Sequence, residues 1–257
     1  MMATRQLPPV TLGGALATLL VFAVAVMCVR FGFWQLDRLQ QRRERNAEVH
    51  ERMHAPSEAL ISAPRDSAGW LHRRVTIKGT FDNSRSIILP GRSFAGMPGA
   101  HLLTPVLLPD GSALLADRGW VPAADGATVD LSALQLDTAV ADTALVLPFP
   151  GQERRLGRAT AETSAHSGFR RVWFALDERA LRAQFPYPLG AIHVRLLPAS
   201  NAAAVPQREP LPTLNNGPHL GYAIQWFSFA VIALVGWLLV VRKQRVGPLV
   251  LLRKKHG

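Results

Sequence analysis

Residues 220–241 read LGYAIQWFSFAVIALVGWLLVV, a run of 22 residues without a charged side chain. The hydrocarbon core of a bilayer is about 30 Å thick and needs about 20 apolar residues in helical form to cross it. Residues 11–29, TLGGALATLLVFAVAVMCV, form a second uncharged run of 19 residues. The sequence therefore predicts a membrane-spanning helix near each end of the 257-residue chain.

Residues 11–29 have an alternative interpretation as a cleaved signal peptide. Their apolar run is longer than the usual signal core of about 7–15 residues. The sequence Phe31-Gly32-Phe33-Trp34 that follows is more typical of an interfacial anchor than of a small-residue cleavage site. Both features favour a retained helix.

Charge is distributed unevenly along the chain. All 18 acidic residues lie between the two apolar runs, whereas six of the 29 basic residues follow the second run without any acid among them. By the positive-inside rule this tail is cytoplasmic, and five arginines just after the first run do not outweigh it, because long loops translocate largely regardless of charge. The predicted order is a cytoplasmic N-terminus (1–10), a first span (11–29), a periplasmic domain (30–218), a second span (219–241) and a basic cytoplasmic tail (242–257).

The same distribution limits the classes of function. The net charge of +11 is concentrated in the tail, so it indicates membrane orientation rather than nucleic-acid binding. The only cysteine, Cys28, lies in the first apolar run. Residues 30–218 therefore have no disulfide, no thiol exchange and no cysteine-based metal site.

Residues 30–218 show the short alternating segments of a β domain. From Arg73 to Phe81, apolar side chains alternate with polar ones, which predicts a half-buried strand. Pro109-Asp110-Gly111 predicts a tight turn between two strands at 101–108 and 113–121. Further short strands are predicted at 86–89, 144–147, 171–176 and 191–197.

Helical segments complete this domain. The polar stretch Leu36 to His54 lacks Gly and Pro and should continue the first helix, and Asp177 should cap a short helix ending at Ala183. The predicted fold is a membrane protein with two transmembrane helices flanking a compact, mainly antiparallel β domain. That domain resembles a small barrel and carries one or two short helices.

Motifs of catalytic or metal centres are missing from the sequence. It contains no phosphate-binding loop, no nucleophile elbow and no His-Glu-x-x-His helix, so we predict that the protein is not an enzyme. Only His50 and His54 have the i, i+4 spacing of helical metal ligands. Glu48 and Glu51 beside them favour a solvated helix face, and we predict no metal site there.

The segment Asp117-Arg118-Gly119-Trp120-Val121-Pro122 has two interpretations. Arg118 and Trp120 can form a corner that binds a partner protein. Alternatively the segment is a strand end where Gly119 permits a bend and Trp120 covers the core. The residues alone favour the structural interpretation, and Arg118 and Trp120 remain the candidates for partner binding.

His219 is the histidine with the most informative setting. It follows Pro218 at the start of the second span, where the helix dipole disfavours imidazolium and leaves a neutral ring able to ligate a metal. Backbone N–H groups of the same turn can donate hydrogen bonds to carboxylates such as haem propionates. Tyr222, Trp226 and Ala230 follow on one helical stripe, an aromatic surface suited to a flat macrocycle. The alternative is an ordinary aromatic belt with an interfacial histidine.

Four stretches of the sequence carry a family resemblance. The first is GFWQLDR (32–38), and the second is RV (74–75) with GTF (79–81). The third comprises Arg92, GMPG (96–99), TP (104–105) and LADRGWVP (115–122). The fourth is HLGYAIQWF (219–227). In this order and with these two spans, the chain resembles the Surfeit locus protein one family of cytochrome c oxidase biogenesis factors. One departure is Gly217-Pro218, which separates the preceding Asn pair from His219.

The resemblance implies a role in maturing subunit I of cytochrome c oxidase at the bacterial inner membrane. It implies transient binding of haem a, with His219 as ligand and Tyr222 and Trp226 around it, and delivery of that haem to the oxidase. The partners would be subunit I, haem a synthase and the lipid bilayer. The alternative function is a scaffold that holds oxidase or haem a synthase intermediates through its β domain and never binds haem.

Overall fold

The computed structural model describes residues 12–134, 136–149, 168–174, 176, 178–198 and 205–246. The predictions for residues 1–11, Asp177 and the tail beyond residue 246 lie outside this range. The chain divides into two compact units. The helical unit comprises Met1–Ala47 and Leu214–Gly257, and the barrel unit comprises Glu48–Thr213.

Three helices and seven strands make up the described structure. The helices are α1 (Leu12–His54), α2 (Glu178–Ala183) and α3 (His219–Val246). The strands are β1 (Glu58–Leu60), β2 (Arg74–Phe81), β3 (Ile87–Phe94), β4 (Met97–Leu107), β5 (Ala113–Pro122), β6 (Ala139–Leu147) and β7 (Leu189–Leu196).

The two long helices are of the membrane-spanning type. Both α1, with 43 residues, and α3, with 28, contain a stretch long and apolar enough to cross a bilayer. Most of their apolar side chains are exposed, as for Leu19 and Ile232, which suits contact with lipid. α1 does not stop at the end of its apolar run but continues through the polar stretch to His54, where no Gly or Pro interrupts it.

The β domain is a closed five-stranded barrel with two extra strands. The sheet order is β1-β2-β6-β7-β5-β4-β3, and β2 also pairs with β4, so that β2, β6, β7, β5 and β4 form a ring. Among the strand pairs of the described residues, β1–β2 and β5–β7 are parallel and the others antiparallel. The predicted small, mainly antiparallel barrel flanked by two apolar helices is confirmed.

Alternation along the strands fills the barrel interior with apolar side chains. Val75, Ile77 and Phe81 are buried as the pattern of β2 predicts, while Lys78 is exposed. The interior cluster draws on all five barrel strands and includes Val106, Leu114, Ala116, Val140, Ala144, Val146, Ile192, Val194 and Leu196. A second apolar cluster on the outer face contains Leu181 of α2.

A glycine allows the barrel to close. Where β2 meets β4, Thr80 pairs with Leu107 and Phe81 with Val106. A Cβ on Gly79 would overlap the Leu107 carbonyl oxygen and lie 2.8 Å from Val106 Cγ1. The strands can approach this closely only because residue 79 has no side chain.

Arg74 of β2 hydrogen-bonds the backbone at the end of α1. The Arg74 guanidinium donates to the carbonyl oxygens of Ala55 at 3.0 Å and His54 at 3.4 Å. These carbonyls lack helical partners at a helix C-terminus, where a cation is also favoured by the dipole.

Several strand predictions were wrong in detail. β4 and β6 begin earlier than predicted, at Met97 and Ala139 rather than at 101 and 144. β3 does not end at Pro90-Gly91 but continues to Phe94, because a register shift between Leu89 and Arg92 accommodates the proline. The described residues of the predicted strand 171–176 form a single isolated bridge, between Val172 and Ile88, instead of a strand. The segment makes a local hydrogen bond instead, from the Trp173 indole N–H to the Arg170 carbonyl.

Candidate functional site

Within the helical unit, α1 and α3 pack against each other in opposite directions. Ala25 and Cys28 of α1 are buried with Ala230 of α3, and Trp226 packs against them. Small side chains at such a contact let two membrane helices approach closely, since lipid supplies no hydrophobic drive for association.

The contact continues through aromatic side chains toward the start of α3. The Phe31 and Trp226 rings lie 4.9 Å apart, and Phe33 meets the Phe227 ring edge-on at 5.4 Å. A Cβ on Gly32 would lie only 2.5 Å from Phe227 Cε1, so the glycine admits this ring. The GFWQ stretch of α1 therefore faces the QWF stretch of α3.

The polar member of this contact joins Gln35 to His219. The two side chains meet at 2.9 Å between His219 Nδ1 and Gln35 Oε1, and Gln35 is buried. An amide oxygen only accepts hydrogen bonds, so Nδ1 carries the proton and donates it. In the neutral ring the lone pair is then on Nε2, the nitrogen free to ligate a metal.

Gly217 leaves room on that side of the imidazole. Its φ is +70°, a left-handed conformation that favours glycine. A Cβ at this position would lie 3.5 Å from His219 Nε2. Gly217 thus permits a left-handed turn of the backbone shortly before α3 begins.

The approach to α3 is held by two side chains of α1. Asn46 donates to the Asn215 carbonyl at 2.9 Å and to the Asn216 side-chain oxygen at 3.1 Å. Arg42 donates to the same Asn215 carbonyl at 3.4 Å. α1 therefore contacts both the asparagine pair and the histidine that follows it.

The structure places the predicted aromatic residues in different environments. Ala223 is buried and Trp226 is half-buried against Phe31, so with His219 they share the face toward α1. Tyr222 is instead 49% exposed. The reason is the helical repeat, because residues 219, 223, 226 and 230 follow one stripe and Tyr222 lies beside it. The predicted single aromatic surface beneath His219 is thus divided.

The predicted partner-binding residues Arg118 and Trp120 are both buried in the barrel unit. Arg118 donates to the Asn83 side-chain oxygen at 2.8 Å and lies 4.0 Å above the Phe81 ring centroid. Burial lowers the pKa of its guanidinium to about 10, which leaves it charged at neutral pH. This environment favours the structural interpretation of the motif, and partner binding stays a prediction.

Trp120 holds a segment that follows the barrel. Its backbone N–H and C=O pair with Gln207 at 2.8 and 2.7 Å. Gly119 has a φ of +124°, and a Cβ there would overlap the Gln207 carbonyl oxygen. Beside this bridge, Arg208 pairs with Asp142 at 2.9 Å. The motif thus fixes residues 205–209 on the barrel.

A buried polar cluster lies next to this bridge. His101 Nδ1 is 2.7 Å from Asp117 Oδ2, and Arg195 contacts both Asp117, at 3.5 Å, and Glu209, at 3.1 Å. Burial acts to raise the pKa of Asp117, but the hydrogen bond and charge of His101 and the charge of Arg195 bring it below its usual value. Asp117 is therefore an ionised centre of the cluster.

His193 lies beside the cluster as a neutral ring. Burial lowers its pKa to about 4, against the opposing effect of Asp117. Its Nδ1 has no hydrogen-bond partner among the described residues. Below about pH 6.5 the unfolded chain protonates this imidazole and the folded chain does not, so acid disfavours folding.

Comparison with known proteins identifies the family of the chain. The model of the SURF1 family matches residues 22–231, which include all four stretches that carried the resemblance. The chain belongs to the SURF1 family. A SURF1-like protein of Monosiga brevicollis is 28% identical over 246 residues, covering 90% of this chain and 89% of that protein.

Other SURF1 relatives match over different lengths. An uncharacterized SURF1-like protein of Mycobacterium bovis is 24% identical over 235 residues, covering 83% of this chain and 80% of that protein. Surfeit locus protein 1 of Arabidopsis thaliana is 31% identical over 123 residues, which is 43% of this chain. SURF1 proteins are in general oxidase assembly factors, and the predicted family is confirmed.

Sequence reasoning missed the buried cluster of this SURF1 protein. No sequence motif pointed to His101 or His193. The available signal was a charge inside an apolar strand, as with Asp117 after Leu114-Leu115-Ala116 and Arg195 after Ile192-His193-Val194. A charge at a buried position requires partners.

His50 and His54, the pair with the spacing of metal ligands, contact each other on α1. Their rings stack at 3.9 Å, and the His50 carbonyl contacts His54 Nδ1 at 2.8 Å. In the part of the chain that the structure describes, no three His, Cys, Asp or Glu side chains are grouped to hold a metal ion.

Replacement of Arg118 separates the two interpretations of its motif. We expect Arg118→Ala to lower the free energy of unfolding by about 2–4 kcal/mol, because the Asn83 amide loses its partner and a cavity opens above Phe81. Thermal unfolding of the purified chain checks this, with the exposed Arg179→Ala as matched control. Unchanged stability together with weaker co-purification of oxidase subunits would support a partner site instead.

His193 should make the barrel sensitive to acid. A histidine whose pKa falls from 6.5 to about 4 on folding stabilises the fold above pH 6.5 and loses that contribution as the pH falls toward 4. The expected loss is about 3 kcal/mol over this window. His193→Gln should flatten the dependence of Tm on pH between 6.5 and 4, whereas His50→Gln, on an exposed helix face, should not. Equal slopes for wild type and His193→Gln would contradict this assignment.

Proposed function

We propose that this protein is a membrane-bound assembly factor that binds haem a transiently and delivers it to subunit I of cytochrome c oxidase. The observation that carries the proposal is the His219–Gln35 hydrogen bond, which leaves Nε2 of a membrane-helix histidine with a free lone pair. Membership of the SURF1 family supports the wider role in oxidase assembly.

The residues around His219 fit haem a. His219 would hold the iron through Nε2, and the first backbone N–H groups of α3 suit the propionates. Tyr222, one turn along α3 from His219, is exposed and would supply apolar contact. Trp226 would act indirectly, because its ring packs against Phe31 and holds α3 against α1. Haem a supplies the electron-transfer chemistry of the mature oxidase, while this chain binds, orients and releases it.

The protein would act in the bacterial inner membrane with its barrel unit in the periplasm. Arg242 and Lys243 at the end of α3 begin the basic tail that supports a cytoplasmic C-terminus. Subunit I and haem a synthase would be its partners. We infer binding rather than catalysis, because the pair closest to a catalytic arrangement, His101 and Asp117, is enclosed with Arg195 and Glu209.

A second function, a scaffold that never binds haem, is favoured by one observation. Trp226 already packs against Phe31, so part of the aromatic surface is covered by α1. A scaffold would hold oxidase or haem a synthase intermediates and would still support assembly without pigment.

Replacement of His219 tests the haem-binding function. Wild-type protein purified from cells that make haem a should carry a Soret band, and His219→Ala should lose or shift it while still inserting and folding, because the axial nitrogen is gone. The matched control is His50→Ala, which removes an exposed histidine of α1. Wild-type haem content in His219→Ala would refute the ligand. A pigment-free wild type that still restores oxidase assembly would establish the scaffold.

Reporter fusions test the orientation. A periplasm-active reporter placed after Gly257 should be inactive, because the basic tail stays in the cytoplasm. The same reporter inserted at Asp125, on an exposed turn of the barrel unit, should be active. The reverse pattern would overturn the orientation without touching the haem proposal.

A further inference from the structure

We propose that Gln35 is the positioning residue of the haem site: its amide oxygen keeps the proton of His219 on Nδ1 and so presents Nε2 to the iron. The proposal rests on the proposed function, in which His219 ligates haem a. It assigns a role to a residue of α1 that has no direct contact with the iron.

The contact is well placed to fix the ring. Gln35 and His219 are 184 residues apart in sequence and lie on different helices, with 2.9 Å between Oε1 and Nδ1. Gln35 is only 9% exposed, so little water competes for its oxygen. Gly32, one turn before Gln35 on α1, admits the Phe227 ring of α3, so the two helices are in close contact near this hydrogen bond.

Tautomer control follows from this geometry. A neutral imidazole has one N–H, and the nitrogen that lacks it is the ligand. If the acceptor at Nδ1 is removed, the proton is free to occupy Nε2 and block ligation. Second partners of metal-bound histidines act in this way, and their loss typically lowers affinity about 10–100-fold.

A neutral amide as the hydrogen-bond partner of His219 suits a protein that carries haem and then releases it. A carboxylate opposite Nδ1 would draw the N–H proton more strongly and make Nε2 a stronger donor to iron. The neutral amide of Gln35 orients the ring without this increase. A ligand of ordinary strength is appropriate for haem that is held and then released.

The tautomer is measurable without haem. Full-length protein in lipid nanodiscs, labelled with 15N histidine, is compared as wild type, Gln35→Leu and Gln35→Glu, with the His219 signals assigned by their absence in His219→Ala. We expect the proton on Nδ1 in wild type and Gln35→Glu, and a shift of population to Nε2–H in Gln35→Leu. The matched control is Gln40→Leu, on the same helix, where the exposed amide bonds Glu44.

Haem binding supplies the second measurement. Titration with haem a should show about 10–100-fold weaker binding to Gln35→Leu and unchanged binding to Gln40→Leu. Gln35→Glu should retain haem and raise the Fe–His stretching frequency in resonance Raman spectra, a change that altered packing alone would not produce.

The outcomes separate the two proposals. Retention of the Nδ1 proton in Gln35→Leu, or wild-type haem affinity in that variant, overturns the role of Gln35 while leaving His219 as the ligand. A wild type that binds no haem a refutes the proposed function, and the 15N spectra still decide whether Gln35 sets the tautomer.

Discussion

A hydrogen bond between Gln35 and His219 is the main polar contact in a helix pair that otherwise meets through apolar and small side chains. In a bilayer, helices gain little from burying apolar surface, so close packing and interhelical hydrogen bonds decide how they associate. This bond has two effects at once. It joins the start of α3 to α1, and it determines which imidazole nitrogen has the lone pair. The geometry of the proposed haem site depends on that second effect.

The barrel unit shows what most of the remaining family stretches do. Gly79 lets β2 close on β4, Gly119 admits the Gln207 backbone, and a Cβ on Gly99 would overlap the Trp120 indole. Arg74 caps α1, and Arg118 is buried over Phe81. These residues fix close approaches and buried charges within the barrel. The proposal of ligand binding therefore rests on the setting of His219 at the start of α3 and not on these stretches.

Local pattern predicted much of the fold but less of the site. Alternation in β2 and the Pro-Asp-Gly turn between β4 and β5 depend on neighbours in sequence, so they could be predicted. The parallel pairing of β5 with β7 and the His101–Asp117–Arg195 cluster join distant residues. A single sequence shows the charges inside the strands but not which residues they meet. His219 stood out in the sequence because it begins a helix, and its role as a ligand stays a prediction. Gln35 did not stand out, because beside Trp34 it resembles an ordinary interfacial residue. The exposure of Tyr222 could not be predicted, because the position of α1 was unknown.

The distance between Gln35 and His219 in a lipid bilayer tests the central claim most directly. Solid-state NMR of wild-type protein, with 13C at the Gln35 side-chain amide and 15N in histidine, measures their dipolar coupling and the protonation of each ring nitrogen. A 2.9 Å separation between Oε1 and Nδ1 predicts a clear coupling to Nδ1 and a proton on that nitrogen. Absence of coupling, or a proton on Nε2 in the wild type, would contradict the account.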